Sequence, residues 1–170
     1  DGDNGLMIVR EDTITAADDL LGGIGFDSTD GNVPSSILEA SAYVAAYASE
    51  AHGTGDKGGY LTFGTAPDDQ NDDTTSSERM RITSAGNVGI GTTDPKATLD
   101  VLGTANISDG LNVQGNTNLL GKLSVSNNVN ITGSSVLSST LSVGGATVIS
   151  DDLSVEGKTN IGNGLNVQGN

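Results

Sequence analysis

From Leu99 to Asn170 the sequence divides into twelve six-residue units with no insertion, and this period restricts the fold more than any other feature. The units read LDVLGT, ANISDG, LNVQGN, TNLLGK, LSVSNN, VNITGS, SVLSST, LSVGGA, TVISDD, LSVEGK, TNIGNG and LNVQGN. The third position is a branched aliphatic in all twelve: Val101, Ile107, Val113, Leu119, Val125, Ile131, Leu137, Val143, Ile149, Val155, Ile161 and Val167. The first is Leu99, Leu111, Leu123, Leu141, Leu153 and Leu165 in six units, and Ala, Thr, Val or Ser in the others. Side chains alternate along a strand, so positions one and three share a face and the residue between them, Asn, Ser or Asp in ten units and Val in two, meets solvent. Position five is Gly in seven units, Asn or Asp in four and Ser139 in one. Gly, Asn and Asp tolerate positive φ, so each unit reads as a three-residue strand followed by a turn. A period of six with recurrent glycine fits no helix.

One such strand offers two apolar side chains, too few to offset the ordering of six residues. Stability has to come from stacking. In a single-chain left-handed β-helix, three hexads complete one triangular coil. In an intertwined triple-stranded β-helix, three identical chains each supply one side of every layer. The single-chain form resembles the hexapeptide-repeat acyltransferases, whose site corresponding to position one is small and which need a histidine near the coils. Here that position is repeatedly Leu and the array contains no His. A packed axis shared by three chains suits recurring Leu better. With layers about 4.8 Å apart, twelve interleaved layers would span roughly 58 Å and four single-chain coils roughly 19 Å. The trimer core is then expected to comprise the first-position leucines and the third-position aliphatics. The leucines run in twelves from 99 to 123 and then jump to 141, past VNITGS and SVLSST, while the six-residue frame survives. The expected fold is all-β, with a small β-rich domain over residues 1–85, a Gly-rich transition segment over 86–98 and a hexad-repeat shaft over 99–170.

Charge narrows the partners. The chain carries 22 acids and 7 bases for a net −15. Residues 1–98 hold −12 of this and residues 99–170 hold −3. A surface this acidic repels phosphate backbones, so no nucleic-acid partner is expected. No run of 18 apolar residues occurs, so membrane insertion is not expected. Cysteine is absent, which removes disulfides and thiolate metal sites. All five aromatic residues fall before residue 64, so two regions of different physical character share the chain. The polar opening, DGDNG, and the close on a repeat unit suggest part of a longer polypeptide.

Upstream of the array, LMIVRE, LLGGIGF, YLTFGT, RMRIT and NVGIG read as short strands between turn clusters. SSILEASAYVAAYASEAH, residues 35–52, admits two courses. Its alanines and Ser35/Ser36 start argue helix, while Ala42, Val44 and Ala46 allow a strand. In GNVGIGTTDP, Gly86, Gly89 and Gly91 permit tight turns and close backbone approach, Val88 and Ile90 share a face, and Pro95 stiffens the exit. G-x-x-G-x-G also invites a phosphate-loop reading, but no strand–helix unit follows and no Lys stands in the Walker position.

ERMRITSAGNVGIGTTDP (78–95), followed by an L-x-V strand at 99–101, resembles a segment of fibre proteins from tailed bacteriophages and large DNA viruses. GGIGFDSTDGN and GDKGGYLTFGTAPDDQ look like the small β-rich domain that often precedes it, and units such as LNVQGN and LSVEGK resemble the shafts. Those proteins are homotrimeric and many end in a self-cleaving intramolecular chaperone. The resemblance implies a rigid trimeric shaft on a virion surface or outside the cell. Its partners would be two identical chains, other virion or filament proteins, and a host glycan or protein receptor at a tip. A non-viral extracellular filament or bacterial adhesin subunit is the alternative with the same architecture; an acyltransferase-like enzyme is a third.

No catalytic constellation is legible. His52, near Glu50 and Asp56, reads as a surface loop residue, and no catalytic residue or cofactor is expected. The one ion the sequence leaves room for is Ca²⁺, at Asp1–Gly2–Asp3–Asn4–Gly5 or in DDQNDD (68–73), since hard cations want clustered oxygens. An acid of a neighbouring chain is a candidate partner for Arg79 or Arg81.

Overall fold

A computed structural model describes residues 6–11, 13–28, 33–68 and 74–164. Among these, six strands form one sheet and there is no helix. The strands are β1 (Leu20–Phe26), β2 (Ala42–Ala48), β3 (Gly59–Thr65), β4 (Ser77–Ile82), β5 (Val88–Ile90) and β6 (Leu99–Val101). Their order in the sheet is their order in the chain. The first four pairings are antiparallel and β5–β6 is parallel.

The ambiguous stretch 35–52 becomes one turn and a strand. Glu39 accepts from the Ser35 backbone N–H (3.0 Å) and hydroxyl (2.9 Å), and the Glu39 N–H donates to the Ser36 carbonyl (3.0 Å). The helical start goes no further. Tyr43, Val44 and Tyr47 favour a pleated surface, and β2 is paired on both edges, which a lone helix would forgo. Its alanines stand where space is scarce: Ala45 and Ala48 are fully buried.

LMIVRE does not join the sheet. Leu6–Glu11 is held by side chains instead of a ladder: the Arg10 guanidinium donates to the Leu20 carbonyl (3.3 Å) and pairs with Asp19 (3.3 Å). Ile8 lies 2.5 Å from where a Gly22 Cβ would stand.

The Gly-rich segment makes the crossover that a parallel pair needs. Gly86 (φ +83°) and Gly91 (φ +71°) are left-handed. Gly89 has the Thr92 carbonyl oxygen 2.5 Å from its would-be Cβ, a close approach that only glycine allows. Asp100 accepts from the Lys96 N–H (2.9 Å), and the Asn87 amide donates to the Pro95 carbonyl (3.4 Å), so both ends of the loop are pinned.

Two compact units divide the chain, Asp1–Asn112 and Val113–Asn170. The first contains the sheet, including Leu99–Val101 of the first hexad, so the sheet extends past the transition segment. From residue 102 to 164 there is no strand, but bends recur at positions four and five of each described hexad. The corners stand where the period placed them.

Candidate interaction surface

Register across the sheet defines two rows of six residues. Ile24, Val44, Phe63, Met80, Ile90 and Val101 lie opposite one another in succession, as do Gly22, Ala46, Leu61, Ile82, Val88 and Leu99. Directly opposed residues share a face, so these twelve make one face with no charged or hydrogen-bonding side chain. None of the twelve is buried, and Leu99 is 61% exposed. Leu6 and Ile8 cover part of the β1 end and leave a hollow of about 250 Å³ above Ile24, Val44, Ala46 and Leu61.

The opposite face carries the enclosed core, although its residues are smaller and more polar. Ala45 and Thr62 are each 1% exposed, and the Thr62 hydroxyl donates to the Ala45 carbonyl (3.3 Å). Ile37 lies over Gly23, Ala40 over Gly25, and the Tyr43 ring over Gly64. Ser76 ties this cover down through its hydroxyl to the Ala40 carbonyl (2.5 Å) and its N–H to the Leu38 carbonyl (2.7 Å). A sheet normally turns its most apolar face to the core. Here that face is the uncovered one.

An aromatic and charged ladder completes the covered side. Tyr47 and Tyr60, opposed across β2–β3, stack with centroids 5.2 Å apart and planes at 11°. The Arg81 guanidinium stands 4.6 Å from the Tyr60 centroid and makes a two-pronged bond to Glu78 (2.6 and 2.8 Å). The Tyr60 hydroxyl donates to Asp18 (3.0 Å), itself held at φ +66°. Burial and that carboxylate push the Tyr60 hydroxyl up to about 12. Burial also raises Tyr43 and Tyr47, and the Glu78 bond raises Arg81 further. Arg81 therefore has its acid within its own chain, and Arg79 donates to the Thr65 hydroxyl (3.0 Å) and carbonyl (3.4 Å).

Of the predicted trimer-core positions, Leu99 and Val101 end the two apolar rows on β6. Ile107, Leu111, Val113, Leu119, Leu123, Val125, Ile131, Leu137, Leu141, Val143, Ile149, Leu153, Val155 and Ile161 are all exposed. Leu165 and Val167 lie outside the described residues. Exposure is ordered by position all the same. Third-position residues range from 36% at Val101 to 58% at Leu119, while Val136 and Val148 at position two and Leu120 at position four reach 88–95%. The bends thus shelter the third position most. Among the described residues no backbone hydrogen bond links one hexad to another between 103 and 164.

His52 is half-buried in its loop. Its Nε2 meets the Gly58 carbonyl (3.1 Å) and its N–H donates to the Thr15 carbonyl (3.0 Å), so it braces a loop. Among the described residues no three His, Cys, Asp or Glu side chains group as metal ligands. The two stretches considered for Ca²⁺ lie, apart from Asp68, outside the described residues. Among the described residues no helix is long and apolar enough to cross a membrane. No protein-family model matches the chain, and comparison with curated proteins finds no significant match.

Proposed function

We propose that this chain is a structural segment of a homotrimeric viral or phage fibre, in which a β-sheet domain leads into a triple-stranded β-helical shaft. The observation that carries the reading is the uncovered apolar surface. Two rows across six strands, and the first- and third-position aliphatics of the described hexads, stand open in a chain of net charge −15. Large open apolar surfaces mark association sites. A partner for the hexad aliphatics must repeat every six residues to stay in register with them, and another copy of this chain meets that condition. Three copies close around an axis and leave no edge open.

The role is mechanical and not enzymatic. A shaft holds a receptor-binding tip away from the particle, and several weak tip contacts then act together through effective concentration. The expected setting is a virion surface, with other virion proteins at one end and a host glycan or protein receptor at the other. Light scattering on the purified chain tests the reading, with a mass three times 17.0 kDa expected. A monomer across the micromolar range would overturn it.

A further inference from the structure

Position five of the hexads poses a problem that the isolated chain does not solve. Eleven of its twelve residues are Gly, Asn or Asp, the set that tolerates left-handed backbone. Yet among the described position-five residues only Gly103 has positive φ (+146°). Gly115, Gly121, Gly133, Gly145 and Gly157 bend without it. Crowding does not account for them either, since a Cβ built on any of the five meets nothing within 4 Å. Neither ordinary reason for glycine operates.

Gly103 differs from the others in one respect. The segment before it, Leu99–Val101, is the one described hexad strand with a partner: it pairs in parallel with Val88–Ile90, and the Leu102 N–H donates to the Ile90 carbonyl (3.0 Å). Where the hexad segment is paired, its position-five glycine has positive φ; where the hexads form no strand, the position-five glycines do not. The geometry points to a coupled change, and we infer that position five of each later hexad turns left-handed when its strand pairs in parallel with a second copy of this chain. The three-residue segments before the later corners, which form no strand in the chain alone, are what this partner pairs with, and β5–β6 is the template. The inference rests on self-association as proposed above and adds the direction of pairing and the corner it selects.

Alanine and asparagine separate handedness from crowding. Asn is the larger but accepts positive φ at less cost than Ala does. Asn127 and Asn163 already occupy position five. Two full-length variants are compared, one with Gly115, Gly121, Gly133 and Gly157 all changed to Ala and one with the same four changed to Asn. Sedimentation against concentration reads assembly, and amide exchange at residues 111–113 and 123–125 reads strand pairing. Assembly of the Asn variant within about twofold of the parent is expected, with the Ala variant weakened about tenfold or more. Slowed exchange at those amides in the assembled parent is expected as well. Amides of β2 and β3 report whether each variant keeps its sheet, which none of the four sites touches. An Ala variant that assembles like the parent overturns the inference and leaves trimerisation standing. An Asn variant weaker than the Ala variant overturns it in favour of crowding. A monomeric parent removes both.

Discussion

Gly64 shows how little room the covered face leaves. A Cβ there would stand inside the Tyr43 ring, which is itself 6% exposed. Gly64→Ala must tilt a buried aromatic off its rotamer, and overpacking of this kind costs about 1–3 kcal/mol. Chemical denaturation followed by tyrosine fluorescence should show that loss. Gly53→Ala, in a loop where the nearest atom to a new Cβ is 3.6 Å away, should be close to neutral. Tyr60 supplies a pH signature. Its folded value, about 12, lies above the unfolded value near 10, so folding favours the protonated phenol. Its contribution is fully present below pH ~10 and is lost as pH rises from there through ~12. Phenolate absorbance during alkaline titration should rise late for all three tyrosines, and Tyr60→Phe should remove the latest step. A Tyr60 that ionises near pH 10 would contradict its burial beside Asp18.

At the scale of elements, the Gly89 crossover decides whether β6 can reach β5. Gly89→Ala puts a methyl group against the Thr92 carbonyl, which is backbone and cannot swing aside. The loop must open, and the Leu102 amide should lose its protection first, since it donates to the Ile90 carbonyl beside the strained turn. Hydrogen exchange at that amide, faster by at least about tenfold, checks this. The elements that could be read from sequence were those with a period: LLGGIGF, YLTFGT, RMRIT and NVGIG all appear as strands, and the hexad corners fall at positions four and five. The rest depended on tertiary partners. Residues 35–52 carry helix-forming alanines, and only pairing on both edges makes Ala42–Ala48 a strand. LMIVRE has strand composition but lies on the sheet through Ile8 and Arg10 without a ladder. The Arg81–Glu78 bond was hidden for a sharper reason. Simple alternation puts Glu78 on the side of Met80 and Ile82, but an irregularity opposite Phe63 and Gly64 moves it to the side of Arg81. No sequence signal announces a one-residue slip of that kind.

For the whole molecule the governing fact is that apolar surface and charge are segregated. The two rows on the sheet and the first and third hexad positions carry no charge, while the chain as a whole carries −15. Copies of so acidic a chain repel one another over a distance, so association has to be won at short range by apolar burial. A single charge placed on that surface should therefore be disproportionately costly. In a trimer Val113→Asp or Val125→Asp sets three carboxylates at one level of an apolar axis, and an unpaired buried charge is among the most expensive defects available. Assembly should fail, with the mass by light scattering falling from three chains to one. Asn112→Asp adds the same charge one residue away, on the side that alternation turns to solvent, and should assemble almost as the parent does. Circular dichroism of the β-sheet domain supplies the control, because residues 112, 113 and 125 lie outside all six strands and each variant should keep that signal. Equal loss from Asn112→Asp and Val113→Asp would mean that the inward face has been misassigned. Equal tolerance would mean that the hexad aliphatics bury nothing, and the fibre reading would go with it.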